Sequence, residues 1–122
     1  MKFIHSDAAP AALGPYSQAA QVGQLLFVSG QLPLKDGRLI DDAAEATTAA
    51  LTNLLSIVQA AGGGKESFAK VNIFVRNMDD FDTINGAYAD FFGDHKPARA
   101  CVQVARLPKD AVLEIEVIAD LS

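Results

Sequence analysis

The chain has 122 residues and a mass of 12.9 kDa; half of its residues are apolar, and 15 acidic against 10 basic side chains leave a net charge of −5. That is material for one domain over 1–122 with a core of its own, and it excludes both disorder and a membrane span, which needs roughly 20 consecutive apolar residues. One cysteine, Cys101, and two histidines, His5 and His95, exclude an intrachain disulfide and a recognisable zinc cluster, and scattered basic residues in an acidic chain disfavour nucleic acid as a partner.

Met1–Asp7 lacks both an apolar signal core and an Arg-rich transit pattern, so a cytoplasmic location is expected. A short strand is expected at Lys2–His5, followed by an irregular Ala- and Pro-rich stretch through Gly14-Pro15. Tyr16–Val22 reads as a strand, Gly23-Gln24 as a two-residue turn, and Leu25–Ser29 as a second, buried strand. Pro33 and Asp36-Gly37 mark a loop. Ala43–Ala61 is the clearest helix: Leu51, Leu54, Leu55 and Val58 recur at helical spacing. Asp41 or Asp42 caps its start and Gly62 its end.

Phe68–Arg76 alternates Val71, Ile73 and Val75 as a third long strand. Asp79 or Asp80 opens a second helix that runs to Phe92 and is closed by Gly93. Its expected buried stripe is Phe81, Ile84, Tyr88 and Phe91, and Gly86 within it suggests close packing. Arg99–Ala105 and Ala111–Asp120 are the last strands, joined through Arg106–Asp110 as a hairpin. The order β-β-β-α-β-α-β-β predicts an α+β fold, a mixed sheet covered by two helices on one face. The other face meets water or another subunit.

Strand alternation sorts the polar residues. In Arg99–Ala105 the odd set is Arg99, Cys101, Gln103 and Ala105; in the last strand Glu114 and Glu116 share a face with Val112 and Ile118. Both sets are expected on the uncovered face, with Ala100, Val102 and Val104 under the helices. A hairpin register that pairs Ala105 with Asp110 sets Cys101 opposite Glu114 and Arg99 opposite Glu116. One reading is a solvated sheet face with cross-strand ion pairs. The other is a subunit-facing surface where an Arg fork binds a carboxylate and a Glu holds a water or proton.

Gly14-Pro15-Tyr16-Ser17-Gln18-Ala19, Phe27–Pro33, Lys70–Val75, Phe81–Asn85, Tyr88–Phe92, Pro97–Val102, Ala105–Asp110 and Leu113–Glu116 follow one another in order. Together they resemble the YjgF/Rid family of reactive intermediate deaminases, also labelled endoribonuclease L-PSP, over essentially the whole chain. Arg99 and Cys101 stand in a P-A-R-x-C motif similar to that of the enamine/imine deaminase branch.

The resemblance implies a chorismate-mutase-like fold and a homotrimer whose sheets form a central barrel, with clefts between subunits. It implies hydrolysis of 2-aminoacrylate or 2-aminocrotonate, or their imine tautomers, to 2-keto acids and ammonia, with no metal or organic cofactor. Carried onto this chain, Arg99 holds the substrate carboxylate, Glu114 activates the water, and Tyr16 bonds substrate or water from a facing subunit. Asn85, Ser29 and the main chain at Gly30 and Cys101 line the cleft. Each has a plainer alternative: Arg99 as an ion-pair partner of Glu116, Glu114 as a cross-strand charge, Tyr16 as packing. A small-ligand binder or chaperone-like protein on the same trimer is the alternative function. A ribonuclease is less favoured, because the chain is acidic and has no catalytic histidine pair. Gly93–Pro97 is about three residues shorter than the family's segment there and has Lys96 at an aromatic position, which bears on substrate size.

Overall fold

A computed structural model describes residues 1–122. The strands are β1 (Lys2–Ile4), β2 (Ala19–Val22), β3 (Leu25–Gln31), β4 (Leu34–Lys35), β5 (Arg38–Leu39), β6 (Phe68–Val75), β7 (Ala98–Gln103) and β8 (Leu113–Asp120). The helices are α1 (Ala43–Ala60) and α2 (Phe81–Phe92). Six strands form one mixed sheet in the order β1-β2-β3-β8-β6-β7, antiparallel throughout except for the parallel pair β6/β7. No helix is long and apolar enough to cross a membrane.

The core follows from two periodicities. Strand alternation sends Leu26 and Val28 of β3, Val71, Ile73 and Val75 of β6, and Leu113, Ile115, Val117 and Ala119 of β8 to one face, all buried. Helix α1 lays Ala46, Ala50, Leu51, Leu54, Ile57 and Val58 on that face. Its alanines let the helix approach the sheet closely, and each large buried side chain contributes roughly 1.5–3 kcal/mol. Asp42 caps α1 by accepting a hydrogen bond from the Glu45 N–H at 3.0 Å. Beyond the helix end, Gly62 takes the left-handed φ of +96°. In α2 the buried set is Ile84, Tyr88 and Phe92. Phe91 is only partly buried, with the Lys65 ammonium over its ring at 4.3 Å.

Several expected elements differ. Tyr16–Gln18 is irregular and β2 begins only at Ala19. Gln18 turns its side chain inward, accepting from Ser6 N–H at 2.6 Å and donating to the Pro10 carbonyl at 2.8 Å. It ties down the N-terminal stretch instead of joining a ladder. Pro33–Leu39 is not a plain loop but holds the small β4/β5 hairpin around Asp36-Gly37. Gly86 does not mark close packing: a Cβ there meets nothing within 4 Å. Gly86→Ala is therefore expected to stabilise the chain by about 1 kcal/mol through helix propensity alone. The urea midpoint at fixed protein concentration checks this, and a fall in the midpoint would overturn it.

The largest correction concerns the last two strands. β7 and β8 do not form a hairpin. Helix α2 carries the chain across so that β7 pairs parallel to β6 at the sheet edge, while β8 inserts between β3 and β6. Residues 104–112 pass the end of β6, where Val104 N–H donates to Val75 O and Arg76 N–H donates to Val112 O, both at 3.0 Å. A 3-10 turn at Pro108–Asp110, with Lys109 and Asp110 at φ of 57° and 54°, reverses the direction. The reason is burial: Leu113–Ala119 carries the more apolar face and takes the central position, which leaves the polar β7 to the edge.

Candidate active site

The parallel register places Arg99 opposite Val71, Cys101 opposite Ile73 and Gln103 opposite Val75. Those β6 residues point toward the helices, so Arg99 and Cys101 lie on the helix side of the sheet. The reverse holds for Ala100 and Val102, which join the uncovered face. The expectation that Arg99 and Cys101 share a face with Glu114 and Glu116 is thus overturned. Cys101 does not face Glu114, nor Arg99 Glu116; across β6, Glu114 is registered with Phe74 and Glu116 with Asn72.

One chain therefore carries two separate clusters. The first is built on the β7 edge by α2. Phe81, Asn85 and Tyr88 lie on one helical stripe, and Arg99 meets all three. Its Nη1 donates to Asn85 Oδ1 at 2.6 Å, and its guanidinium sits 4.8 Å from the Tyr88 ring centroid and 5.7 Å from that of Phe81. No carboxylate pairs with Arg99; the only ion pairs are His5–Asp7 and Arg106–Asp110. The rest of the guanidinium fork remains available for an anion. Cys101, two residues on, is a free, partly buried thiol. Burial pushes its pKa up and the Arg99 charge offsets that only in part, which suits a packed neutral thiol rather than a nucleophile. Tyr88 was legible as a core position but not as a neighbour of Arg99. Its spacing from Asn85 was the available signal.

The second cluster lies on the uncovered face. A β-bulge between Val28 and Gln31 interrupts the β3/β8 ladder and displaces Ser29 and Gly30 from regular pairing. A Cβ on Gly30 would lie 2.9 Å from Glu114 Cδ, so only glycine lets this carboxylate rest against the β3 backbone. Glu114 is half-buried, and its pKa is raised first by that desolvation and second by the like charge of Glu116. Glu116 accepts from Asn72 Nδ2 at 3.1 Å. Ser29 Oγ donates to the Ser17 carbonyl at 2.6 Å, which commits that hydroxyl to holding residues 14–18 on the sheet. Tyr16, 53% exposed, stands on that segment beside a hollow of about 660 Å³ that Ser29 and Glu116 also line.

The structure thus brings Arg99, Asn85 and Cys101 together, and separately Glu114 with Gly30, and Tyr16 with Ser29. It does not bring the two sets together, because the sheet lies between them. The uncovered face is apolar around the second set: Phe3, Phe27 and Val102 are 66%, 44% and 47% exposed. A larger groove, about 1150 Å³, lies between α1, the β4/β5 hairpin and residues 7–10, and none of the candidate residues line it. Nowhere do three or more His, Cys, Asp or Glu side chains converge as a metal site.

The endoribonuclease L-PSP family profile matches residues 6–121. A 2-iminobutanoate/2-iminopropanoate deaminase of Escherichia coli is 44% identical over 123 residues, covering 97% of this chain and 96% of that protein. The deaminase of the same name from Salmonella typhimurium is 43% identical with the same coverage. Among solved structures, E. coli TdcF with bound serine superposes with a TM-score of 0.96 at 42% identity, covering all of both chains. The E. coli YjgF gene product gives 0.96 at 41%, again over all of both chains.

Proposed function

The chain belongs to the endoribonuclease L-PSP family, the YjgF/RutC/Rid proteins, and from that membership we propose that it hydrolyses small 2-imino acids and their enamine tautomers, such as 2-aminoacrylate and 2-aminocrotonate, to 2-oxo acids and ammonia. The observation that carries the reading is the unpaired Arg99 guanidinium, held on an aromatic shelf with one N–H on Asn85. A planar fork with spare donors fits a carboxylate in two parallel hydrogen bonds. The serine bound by TdcF carries such a carboxylate.

With the carboxylate on Arg99, the electrophilic imine carbon is fixed beside it. Glu114 takes a proton from water as the water oxygen bonds to that carbon and the C=N electron pair moves to nitrogen. The proton is then delivered to the amino nitrogen of the carbinolamine, and ammonia departs as the hydroxyl proton passes back to Glu114 and the carbonyl forms. A raised carboxyl pKa suits a group that must both take and return a proton. Tyr16 bonds the substrate or the water, and the main chain at Gly30 and Cys101 borders the site. Water and protein side chains supply the whole reaction, with no metal or organic cofactor.

The reading puts the site between subunits of a homotrimer. Arg99 on the β7 edge of one copy meets Glu114, Gly30 and Tyr16 on the uncovered face of the next. Two observations support this: the clusters lie on opposite sides of one sheet, and Phe3, Phe27 and Val102 need cover.

The test generates 2-aminoacrylate in situ with a serine dehydratase and traps it with semicarbazide. Catalytic amounts of the protein are expected to suppress the trapped product. Binding of 2-oxo acids without suppression would overturn the deaminase and favour the ligand binder.

A further inference from the structure

Tyr88 is 8% exposed, and its hydroxyl is the one buried side-chain polar atom without a hydrogen-bond partner. Phenylalanine would fill the same place between Ile84 and Phe92 and keep the ring contact with Phe92 at 4.8 Å. A native structure that keeps an orphaned buried hydroxyl needs a reason for it. The Arg99 guanidinium lies over the ring, 4.8 Å from its centroid. The Arg99 charge partly offsets the rise that burial causes in the Tyr88 pKa, which accords with that proximity. Arg99 is held at one end only, by Asn85, so a single hydrogen bond is all that fixes the resting direction of the fork.

We propose that Tyr88 is the positioning residue of Arg99: its ring face carries the guanidinium, and its buried hydroxyl accepts a guanidinium N–H when Arg99 turns from Asn85 to a ligand carboxylate. The inference rests on the deaminase reading for the identity of that ligand. Asn85 then holds the resting side chain and Tyr88 the engaged one. Between them they limit the rotamer freedom that a long arginine otherwise loses on binding. The contribution is to carboxylate affinity, so it belongs in KM rather than kcat.

The test uses the full chain as wild type, Tyr88→Phe and Tyr88→Leu. Three quantities are measured: the Kd of 2-oxobutanoate, the kinetics of imine hydrolysis, and the Nε–H resonance of Arg99, assigned by its loss in Arg99→Lys. Tyr88→Phe removes only the hydroxyl. Its Kd and KM are expected to rise about tenfold, roughly 1.4 kcal/mol, with kcat little changed. Its thermal midpoint stays equal or rises, because an unpaired buried group is gone. Tyr88→Leu also removes the ring, and the Arg99 resonance is expected to lose its ring-current shift while Kd rises further. If Tyr88→Phe matches wild type in both Kd and KM, the proposal falls. If Tyr88→Leu fails to fold, Tyr88→Phe decides alone. A wild type that neither binds the oxo acid nor hydrolyses the imine, yet shows an Arg99 resonance shifted only when the ring is present, would overturn the deaminase reading and leave the hold on Arg99 standing.

Discussion

Arg99→Ala is expected to lower kcat/KM for 2-aminoacrylate by about three orders of magnitude while leaving the fold intact. The magnitude follows from what is lost. Hydrogen bonds to charged groups contribute roughly 1.5–3 kcal/mol each, and a forked pair supplies two. About 4 kcal/mol corresponds to roughly a thousandfold in rate. The fold survives because Arg99 has no ion-pair partner to orphan. Its only hydrogen-bond partner, Asn85 Oδ1, is exposed and rehydrates when released. Arg99→Lys separates charge from geometry: a point charge restores attraction but not the fork, so it recovers only part of the loss. Steady-state kinetics with the dehydratase-coupled assay, beside a thermal melt, checks both statements. An Arg99→Ala protein with wild-type kcat/KM would remove the carboxylate anchor and, with it, the observation on which the function rests.

How much of this was legible in the sequence depends on the range of the interactions involved. Helix α1 was, because its apolar spacing, its Asp42 cap and Gly62 are all local signals. The two faces of β8 were legible too, since Leu113, Ile115, Val117 and Ala119 alternate with Glu114, Glu116 and Ile118. The same alternation in β7 separated Arg99 and Cys101 correctly from Ala100 and Val102, yet it could not say which set faces the helices. Polarity suggested that Arg99 belongs outside, but an edge strand tolerates a polar helix side where α2 offers Asn85 and aromatic rings. Pairing was the second blind spot. A hairpin is the default between sequence neighbours, and the crossing of residues 104–112 past β6 depends on backbone hydrogen bonds to Val75 and Arg76 that no local pattern announces. Tyr16–Gln18 escaped for a related reason, since Gln18 is held by backbone groups of Ser6 and Pro10, far away in sequence. The motif resemblance named the candidate residues, but strand register decides which of them one chain can bring together.

Glu114→Gln is expected to lower kcat by a factor of about 10² to 10⁴, the usual range for losing a positioned acid–base group, with little change in KM because Arg99 still holds the carboxylate. The pH dependence adds a second, independent reading. Burial, and after it the charge of Glu116, raises the Glu114 pKa. The ionised form is the one that accepts a proton from water, so activity fails on the acid side at a pH above that of an ordinary glutamate. Glu116→Gln removes the second cause, lowers the Glu114 pKa, and moves the acid limb of kcat/KM to lower pH. Stability moves in the opposite sense. A folded pKa above the unfolded one means that the folded chain binds more protons, so the stabilising contribution is complete below the ordinary glutamate pKa and is lost as pH rises through the raised folded value. Glu114→Gln removes that slope and is expected to leave stability flatter across the window. The two measurements separate the alternatives. A cross-strand charge with no chemical role would reproduce the stability slope but leave kcat unchanged on substitution, whereas a catalytic carboxylate changes both, and its acid limb shifts when Glu116 is neutralised.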